Sequence, residues 1–195
     1  MKKERISRPV VGRLPQYYSC VEELYLSNCI RVSSATLSQR LGFTASQIRQ
    51  DFSCFGEFGQ QGYGYNVESL YREIGKILGL DKQHNFVIIG AGNLGRALGN
   101  YMNFERRGFI FKGMFDANPE LVGKDVRGVK VMPMDQLESF IRENDIDIAV
   151  LTIPKTSAVE VADKLVANGI RAIWNFAHVD LNVPEGIQVE NVHLS

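Results

Sequence analysis

The residues with the clearest chemical purpose are three glycines in the segment NFVIIGAGNLGRALGNYM, residues 85–102. They have the GxGxxG spacing, and they stand between an apolar run and an amphipathic stretch. In such a strand–turn–helix unit the first glycine permits a tight turn, the second lets the backbone approach a pyrophosphate, and the third allows close helix–strand packing. The start of the helix adds N–H groups and the positive end of its dipole. We predict a dinucleotide cradle at six residues: Gly90, Ala91, Gly92, Asn93, Leu94 and Gly95.

Asp116 follows Gly95 by 21 residues and stands at the end of the next apolar run. A carboxylate at this position accepts hydrogen bonds from ribose hydroxyls and repels a 2′-phosphate, so the sequence favours NAD(H) over NADP(H). The alternative is a glycine-rich turn with an unrelated aspartate. The register of strand, helix and acid makes that alternative the weaker interpretation.

Catalytic side chains do not accompany this motif in the sequence. The histidines His84, His178 and His193 have no acid–base partner in register, and the GxSxG, HExxH and P-loop lysine patterns do not occur. The nucleotide-binding half spans about 115 residues, which leaves no room for a separate substrate domain. We therefore expect that the protein is not an enzyme, with a small NAD(H)-dependent oxidoreductase as the alternative.

Residues 81–195 alternate apolar runs with helical stretches, a pattern typical of a parallel sheet covered on both faces. The predicted strands are Phe86–Ile89, Phe109–Phe115, Val129–Met132, Ile148–Ile153 and Arg171–Trp174, and helices are predicted to begin near Leu94, Met134 and Thr156. The sequence therefore predicts an α/β, Rossmann-like dinucleotide-binding domain over residues 81–195.

Residues 1–80 follow a helical pattern and predict a separate domain. Apolar and aromatic residues recur at close to the 3.6-residue period between Pro9 and Ile30, which indicates a first helix. Ser33 or Ser34 can cap a second helix that ends before Gly42.

Thr44 is a predicted N-cap of a third helix, because Gln47 follows it by three residues, as a capping box requires. Two short helices joined across one glycine are typical of a helix-turn-helix motif, whose second helix lies in the major groove of DNA. Ile48 and Phe52 are four residues apart and are predicted to face the core. Since Gln and Arg recognise base edges and Ser binds phosphate, we predict four DNA contacts on this helix: Ser46, Gln47, Arg49 and Gln50.

The segment FGEFGQQGYGY, residues 55–65, has four glycines among aromatic residues. The glycines disfavour a helix and the aromatics suit short strands, so the pattern predicts a β-hairpin that serves as the wing of a winged helix. Asn66 is the predicted cap of the helix that follows. The predicted wing contacts with DNA are Gly59, Gln60, Gln61, Gly62, Tyr63 and Gly64.

Charge is distributed unevenly although the net charge of the 195 residues is zero. Residues 1–80 have ten Lys and Arg against seven Asp and Glu, whereas residues 81–195 have twelve against fifteen. A basic first half favours a polyanionic partner, and we include Arg13, in the basic N-terminus, among the predicted DNA contacts. Two alternatives stay open: a small helical dimerisation domain, and a nucleotide-binding regulator that contacts another protein.

Composition also indicates where the chain belongs. Its apolar runs are shorter than the roughly 20 residues that a membrane span needs, and its N-terminus lacks the apolar stretch of a signal peptide, so we expect a cytoplasmic protein with no membrane partner. Cys20, Cys29 and Cys54 have no CxxC spacing. We expect free thiols and no metal site.

Nine stretches occur in the order found in one known family: RLPQYY, SSATL, ASQIRQDFSCFGEFGQQGYGYNV, GAGNLGRAL, FDANP, VGKDVRG, LTIPK, WNFA and VENVHLS. Over almost the whole chain the sequence resembles the Rex family of bacterial redox-sensing transcriptional repressors. The resemblance implies a winged-helix repressor that binds an inverted-repeat operator as a homodimer. It further implies that the protein senses NADH against NAD⁺ and releases DNA when NADH binds.

Carried over by position, the resemblance assigns the glycine motif to the pyrophosphate and Asp116 to the adenosine ribose. It also places the recognition helix and the wing at the residues predicted above. Two further groups are implied to line the dinucleotide and its nicotinamide: Thr152, Ile153 and Pro154 for the first, and Tyr101, Asn175 and Phe176 for the second.

The sequence departs from the family pattern at several positions. Ser19 stands where the family often has Arg, and His193 stands where it often has an acid, so an Arg–acid pair that couples the two domains is not expected here. His178 stands where Pro is usual. The chain stops at Ser195, and we expect it to lack the C-terminal helix that the family exchanges between subunits.

Overall fold

The computed structural model describes residues 7–54, 59–60 and 63–192, with the backbone alone at residues 59–60. The chain divides into two compact units, Met1–Asp81 and Lys82–Ser195. We call them the winged unit and the Rossmann unit. Among the helices that the structure describes, none combines the length and the apolar character needed to cross a bilayer.

The winged unit contains four helices and a small antiparallel sheet. The helices are α1 (Arg8–Leu26), α2 (Ser34–Leu41), α3 (Ala45–Ser53) and α4 (Val67–Ile77). The strands β1 (Arg31–Val32), β2 (Gly59–Gln60) and β3 (Gly64–Asn66) are arranged in the order β1-β3-β2. The hairpin of β2 and β3 confirms the predicted wing, whereas β1 was not predicted from the sequence.

Helix boundaries in this unit follow the predicted caps. The side chain of Ser33 accepts a hydrogen bond from the backbone N–H of Thr36 at 3.0 Å, and that of Thr44 accepts one from Gln47 at 3.1 Å. The first half of the predicted capping box at Thr44 is thereby present, and the side chain of Gln47 contacts Asp51, to which its amide nitrogen donates. Gly42 ends α2 in the left-handed conformation with φ +75°.

The core of the winged unit lies between α1, α3 and α4. Ile48 and Phe52 are at most 1% exposed, which confirms that this side of α3 faces inward. Tyr17 of α1 packs edge-on against Phe52, with ring centroids 5.0 Å apart. The opposite side of α3 is therefore the one presented to solvent.

The Rossmann unit is built on a seven-stranded sheet of order β10-β9-β8-β4-β5-β7-β6, parallel throughout except for the antiparallel β6–β7 pair. Its strands are β4 (His84–Ile89), β5 (Phe109–Asp116), β6 (Asp125–Val126), β7 (Val129–Pro133), β8 (Ile148–Leu151), β9 (Ala172–Asn175) and β10 (Gln188–Asn191). Its helices are α5 (Asn93–Gly99), α6 (Asn103–Arg106), α7 (Leu137–Glu143), preceded by a 3-10 turn at Met134–Gln136, and α8 (Lys155–Ala167).

The order of the six parallel strands is that of the doubly wound dinucleotide-binding fold, which confirms the predicted fold class. The order in which strands are added reverses between the parallel neighbours β4 and β8, and ligands in such sheets bind at the carboxyl ends of the strands beside this switch point. The five predicted strands are present, but β8 ends at Leu151, so Thr152 already belongs to the loop. Strands β6 and β10 and helix α6 were not predicted.

Candidate functional site

The glycine motif connects β4 to α5 at the switch point, and two of its glycines are required by packing. A Cβ atom at Gly90 would lie 2.6 Å from the carbonyl oxygen of Thr152, and Gly90 has φ +104°. A Cβ atom at Gly95 would overlap the carbonyl oxygen of Gly90. Both positions therefore exclude any other residue unless the backbone shifts.

Gly92 differs from its two neighbours in the motif. A Cβ atom here would meet no heavy atom of the described chain within 4 Å. The fold thus leaves open space over Gly92 at the N-cap of α5, where a helix offers N–H groups and positive dipole to an anion. A missing side chain at this position allows a ligand to approach the backbone, as the pyrophosphate of a dinucleotide requires.

Thr152 joins the two strands that border the switch point. Its backbone N–H donates to the carbonyl of Ile89 at 2.9 Å, and its hydroxyl lies 3.1 Å from that oxygen and 3.0 Å from the carbonyl of Gly90. Ile153 and Pro154 continue the loop, and Pro154 is the exposed N-cap of α8. The structure therefore brings Thr152 to the glycine motif, as the Rex resemblance implies.

Asp116 ends β5 beside the same loop. Its carboxylate accepts hydrogen bonds from the backbone N–H of Ala91 at 2.6 Å and from that of Asn118 at 2.8 Å. The side chain is only half-buried, so a ribose hydroxyl can reach its remaining acceptor positions. The sequence predicted Asp116 near the cradle, but its bond to Ala91 was not foreseen.

An aromatic row lies on one face of the sheet and consists of Tyr101, Phe104, Trp174 and Phe176. Successive ring centroids are 5.0, 5.6 and 5.6 Å apart. Tyr101 is 51% exposed at the outer end of the row. The place of Trp174 in this row was not predicted, although Trp174 immediately precedes the predicted Asn175 and Phe176 in the sequence.

Asn175 is predicted to lie near a nicotinamide, yet its side chain is only 1% exposed. Its amide nitrogen donates to the carbonyl of Val179 and to the side chain of Asn191, each at 2.8 Å. Its amide oxygen accepts from the backbone N–H of Ala177 at 3.0 Å. The observed contacts make Asn175 a residue that shapes the turn after β9, and no side-chain contact with a ligand follows from them.

A cavity of about 360 Å³ lies on the same face of the sheet as the aromatic row. Its lining includes Phe109, Ile148 and Ala172, which lie at the beginnings of their strands, together with Phe104 and Trp174. The glycine motif lies at the opposite, carboxyl ends of the strands, so this cavity is not the phosphate cradle.

The histidines are dispersed. His84 opens β4, and its Nδ1 lies 3.9 Å from a carboxylate oxygen of Asp147. His178 is exposed, and His193 lies outside the described residues. Ser19, where the family often has Arg, is exposed on α1.

In the winged unit, α3 presents Ser46, Arg49 and Gln50 to solvent, whereas Gln47 is half-buried. The guanidinium of Arg49 donates to the hydroxyl of Ser34 at 3.1 Å. The amide nitrogen of Gln47 donates to Asp51 at 2.8 Å. Three of the four predicted residues thus lie on one exposed face, and the fourth is partly engaged inside the unit.

Asp51 is a buried carboxylate that the sequence did not single out. It is 1% exposed and accepts two hydrogen bonds from Arg13, at 2.7 and 2.8 Å, and one from the hydroxyl of Tyr17 at 2.7 Å. Burial would raise the pKa of Asp51, but the hydrogen bonds from Arg13, Tyr17 and Gln47 outweigh it and hold the pKa below its ordinary value. An ionised Asp51 therefore fastens α3 to α1.

Arg13 has a role here that the sequence did not predict. The guanidinium was expected to contact DNA, and the structure instead pairs it bidentately with Asp51, which raises the pKa of Arg13. A bidentate pair of this kind fixes the geometry of both side chains. A direct DNA contact by Arg13 stays a prediction.

The wing is described in part. Gly59 and Gln60 pair with Tyr65 and Gly64 across the hairpin, and Tyr63 at the turn is 70% exposed. Gln61 and Gly62, two of the predicted contacts, lie outside the described residues.

The three cysteines are free thiols. Cys20 is buried, which raises the pKa of its thiol, Cys29 is half-buried, and Cys54 is exposed.

A winged helix-turn-helix followed by a Rossmann unit with a GxGxxG cradle defines a nucleotide-binding transcriptional regulator. Two family models match: the CoA binding domain over residues 81–179, and the "Putative DNA-binding protein N-terminus" over residues 5–53. The redox-sensing transcriptional repressor Rex of Clostridium perfringens (strain SM101 / Type A) is 54% identical over 194 residues, which is 100% of this chain and 92% of the relative. The redox-sensing transcriptional repressor Rex of Caldanaerobacter subterraneus subsp. tengcongensis is 57% identical over 194 residues, which is 100% of this chain and 87% of the relative. The chain belongs to the Rex family of redox-sensing transcriptional repressors.

Solved structures agree with this assignment. The chain is similar to RSP, a Rex-family repressor, in a crystal structure with β-NAD⁺ and operator DNA, at 55% identity and a TM-score of 0.95 over 98% of this chain and 88% of the other. It is also similar to RSP in complex with β-NADH, at 52% identity and a TM-score of 0.91 over 98% and 89% of the two chains.

Proposed function

We propose that this protein is a cytoplasmic repressor that binds an inverted-repeat operator as a homodimer and releases it when NADH binds. The observation that carries the proposal is the likeness over 98% of the chain to RSP, whose structures contain operator DNA and NAD⁺ in one case and NADH in the other. The open cradle at Gly92 and the exposed face of α3 are the two surfaces of this chain that fit those ligands.

The DNA contacts on the winged unit are proposed from exposure and chemistry. Arg49 and Gln50 project from the solvent face of α3, and Arg and Gln side chains pair bidentately with guanine and adenine edges in the major groove. Ser46, in the first turn of the same helix, suits a phosphate. The Arg13–Asp51 pair on the buried side of α3 fixes this helix to α1, so the backbone that presents the three side chains is held in place.

The dinucleotide contacts on the Rossmann unit are proposed in the same way. The open backbone at Gly92 accepts the pyrophosphate, and the half-buried carboxylate of Asp116 accepts the hydroxyls of the adenosine ribose while repelling a 2′-phosphate. NAD(H) is then preferred over NADP(H).

Discrimination between the reduced and oxidised forms follows from charge. The oxidised nicotinamide is a cation, and moving a cation into apolar surroundings costs desolvation energy. The aromatic row beginning at Tyr101 provides such surroundings and therefore favours the neutral, reduced ring. A preference of about 100-fold requires only about 2.7 kcal/mol.

Release of DNA by NADH requires that the ligand bind more tightly to a conformation unable to hold the operator. In a two-fold dimer the recognition helices fit successive major grooves only when they are about 34–36 Å apart or a multiple of that spacing. A modest change in that spacing is enough to abolish binding of both half-sites.

The decisive experiment is fluorescence anisotropy of the full chain on an inverted-repeat duplex, titrated separately with NADH and NAD⁺. Release by NADH at concentrations where NAD⁺ has no effect is the expected result. Operator binding that is indifferent to both nucleotides would contradict the coupling. A folded sample that binds no duplex and shows a substrate-dependent absorbance change at about 340 nm would restore the oxidoreductase alternative.

The recognition helix is tested by Arg49→Ala, which should abolish most operator affinity while NADH binding stays unaltered. The matched control is Arg72→Ala, because Arg72 is an exposed arginine of α4 paired with Glu68 at 2.6 Å. Unchanged operator affinity for Arg49→Ala would contradict the assignment of α3.

A further inference from the structure

The wing carries no cation of its own, since residues 59–66, GQQGYGYN, contain no Lys or Arg. Binding of a protein segment to DNA depends strongly on cations that replace the counterions of the phosphates. A wing without one must obtain positive charge from a neighbouring element.

Arg31 of β1 is placed to supply that charge. Strand β1 pairs antiparallel with β3, with Arg31 opposite Asn66 and Val32 opposite Tyr65. Val32 is 4% exposed and faces the core, so Arg31, the adjacent residue, points to the solvent side of the small sheet.

Arg31 is held against the exposed aromatic ring of the wing. Its Nη1 donates to the carbonyl oxygen of Tyr63 at 3.4 Å, and its guanidinium carbon lies 5.8 Å from the centroid of the Tyr63 ring. This separation is within the range of a cation–π interaction. The ring of Tyr63 therefore orients the guanidinium.

Gly64 maintains this arrangement. It has φ +71°, and a Cβ atom there would lie 2.6 Å from the carbonyl oxygen of Val32. Only glycine allows β3 to approach β1 so closely directly after Tyr63. The pairing that places Arg31 beside the wing turn therefore depends on that glycine.

The same segment also connects to the recognition helix. Ser34, three residues after Arg31, accepts the hydrogen bond from Arg49 of α3. Arg49 thus contacts the residue that begins α2, while Arg31 of the preceding strand contacts Tyr63 of the wing. An element next to a helix in the major groove meets the adjacent minor groove or its phosphates.

We propose that Arg31, in contact with Tyr63, is the minor-groove contact of the wing and makes operator affinity depend on A·T pairs beside each half-site. This inference rests on the proposed operator binding. Narrow minor grooves of A·T tracts concentrate negative potential and attract inserted arginine. The minor groove is about 6 Å wide, which a planar guanidinium fits, and the G·C pair adds an N2 amino group to its floor.

The test uses one inverted-repeat duplex, obtained by selection, in three versions whose flanking pairs are A·T, G·C or inosine·C. An inosine·C pair resembles G·C in the major groove and A·T in the minor groove, because inosine lacks the N2 amino group. For the wild-type chain we expect similar affinities for A·T and inosine·C flanks and about tenfold weaker binding to G·C flanks.

Arg31→Ala should lower affinity for the A·T and inosine·C duplexes to the level of the G·C duplex. Arg31→Lys keeps the charge but not the planar group, and should also lose the preference. Arg72→Ala is the control and should retain it. NADH binding should be the same in all variants.

Three outcomes would overturn the inference while leaving operator binding intact. The first is a wild-type chain that does not distinguish the three flanks. The second is Arg31→Ala with unchanged preference. The third is an equal loss on all three duplexes, with the salt dependence reduced by about one phosphate contact, because that result indicates a backbone contact instead. A wild-type chain that binds none of the duplexes would overturn the proposed function together with this inference.

Discussion

The two units present their candidate ligand surfaces by different physical means. The Rossmann unit offers backbone, exposed because Gly92 has no side chain, and the neighbouring Gly90 and Gly95 let strand and helix meet without a gap. The winged unit offers side chains on one face of α3, and a buried ionic group at Asp51 fixes the opposite face. The surface of the Rossmann unit depends on a missing side chain, whereas that of the winged unit depends on a buried charge pair.

This difference predicts how each unit fails. A ligand site made of exposed backbone should lose ligand affinity when any side chain is added over it, whatever the chemistry of that side chain. A helix fixed by a buried carboxylate should lose stability when the carboxylate is removed, because its hydrogen-bond donors then lose their charged acceptor.

The largest effect is expected for Asp51→Asn. The carboxylate accepts four hydrogen bonds, from Arg13, Tyr17 and Gln47, and Arg13 is partly exposed, so the free energy of unfolding of the winged unit should fall by about 1.5–3 kcal/mol. Six of the seven tyrosines lie in residues 1–80, so near-ultraviolet tyrosine signals during urea unfolding report on this unit. Glu68→Gln, which breaks the exposed pair with Arg72, is the control and should change stability by about 0.5 kcal/mol or less.

The same variant should change the response to acid. Because the pKa of Asp51 is lower in the folded state than in the unfolded chain, its stabilisation is complete above the unfolded value of about 3.9 and is lost as the pH falls through the folded value. The wild-type winged unit should therefore lose stability below about pH 4 more steeply than Asp51→Asn. Parallel pH profiles would show that the carboxylate is not what fastens α3.

Gly95→Ala is expected to have the next largest effect, now in the Rossmann unit. The added Cβ would overlap the carbonyl of Gly90, and overpacking of this kind costs about 1–3 kcal/mol or more. Fluorescence of Trp174, the single tryptophan, reports urea unfolding of this unit. NADH affinity should fall as well. A variant with wild-type stability would contradict the observed packing of α5 on β4.

Gly92→Ala separates packing from ligand contact within the same motif. Since the fold leaves open space there, the free energy of unfolding should change by no more than about 0.5 kcal/mol. NADH affinity should nevertheless fall by about tenfold or more, because the pyrophosphate can no longer approach the backbone. Isothermal titration with NADH measures the difference, and unchanged affinity would remove Gly92 from the cradle.

Gly12→Ala should have the smallest effect and the opposite sign. Gly12 lies in α1, and a Cβ atom added there would meet no heavy atom of the described chain within 4 Å. Replacing an exposed helical glycine by alanine gains about 0.5–1 kcal/mol. Tyrosine-detected urea unfolding should show the gain. A loss of stability would indicate that this side of α1 is not open.

The sequence predicted the fold and the place of the glycine motif between β4 and α5 because their signals are local. Glycine spacing, apolar runs and caps such as Thr44 each depend on residues a few positions apart. Strand β10 was missed because its residues Gln188, Glu190 and Asn191 are exposed, so it lacks the apolar pattern of a buried strand.

The Asp51 cluster escaped prediction for another reason. Its partners Arg13 and Tyr17 are 38 and 34 residues away, and no short motif connects them. Arg13 was assigned to DNA because a basic N-terminus attracts polyanions, an argument that ignores internal partners. Gln47 was assigned to a capping box on spacing alone, whereas its amide N–H donates to Asp51, one turn further along α3.

The hydrogen bond from Ala91 to Asp116 has a consequence for the rate at which the protein can respond to a nucleotide. The carboxylate holds the glycine loop against the end of β5, so the loop has fewer conformations to lose when a nucleotide binds. Preorganisation of this kind lowers the entropic cost of binding and leaves encounter as the slow step. We therefore expect occupancy of the cradle to follow the cellular nucleotide pool within the time of diffusion, leaving any delay in transcription to the departure of the protein from DNA.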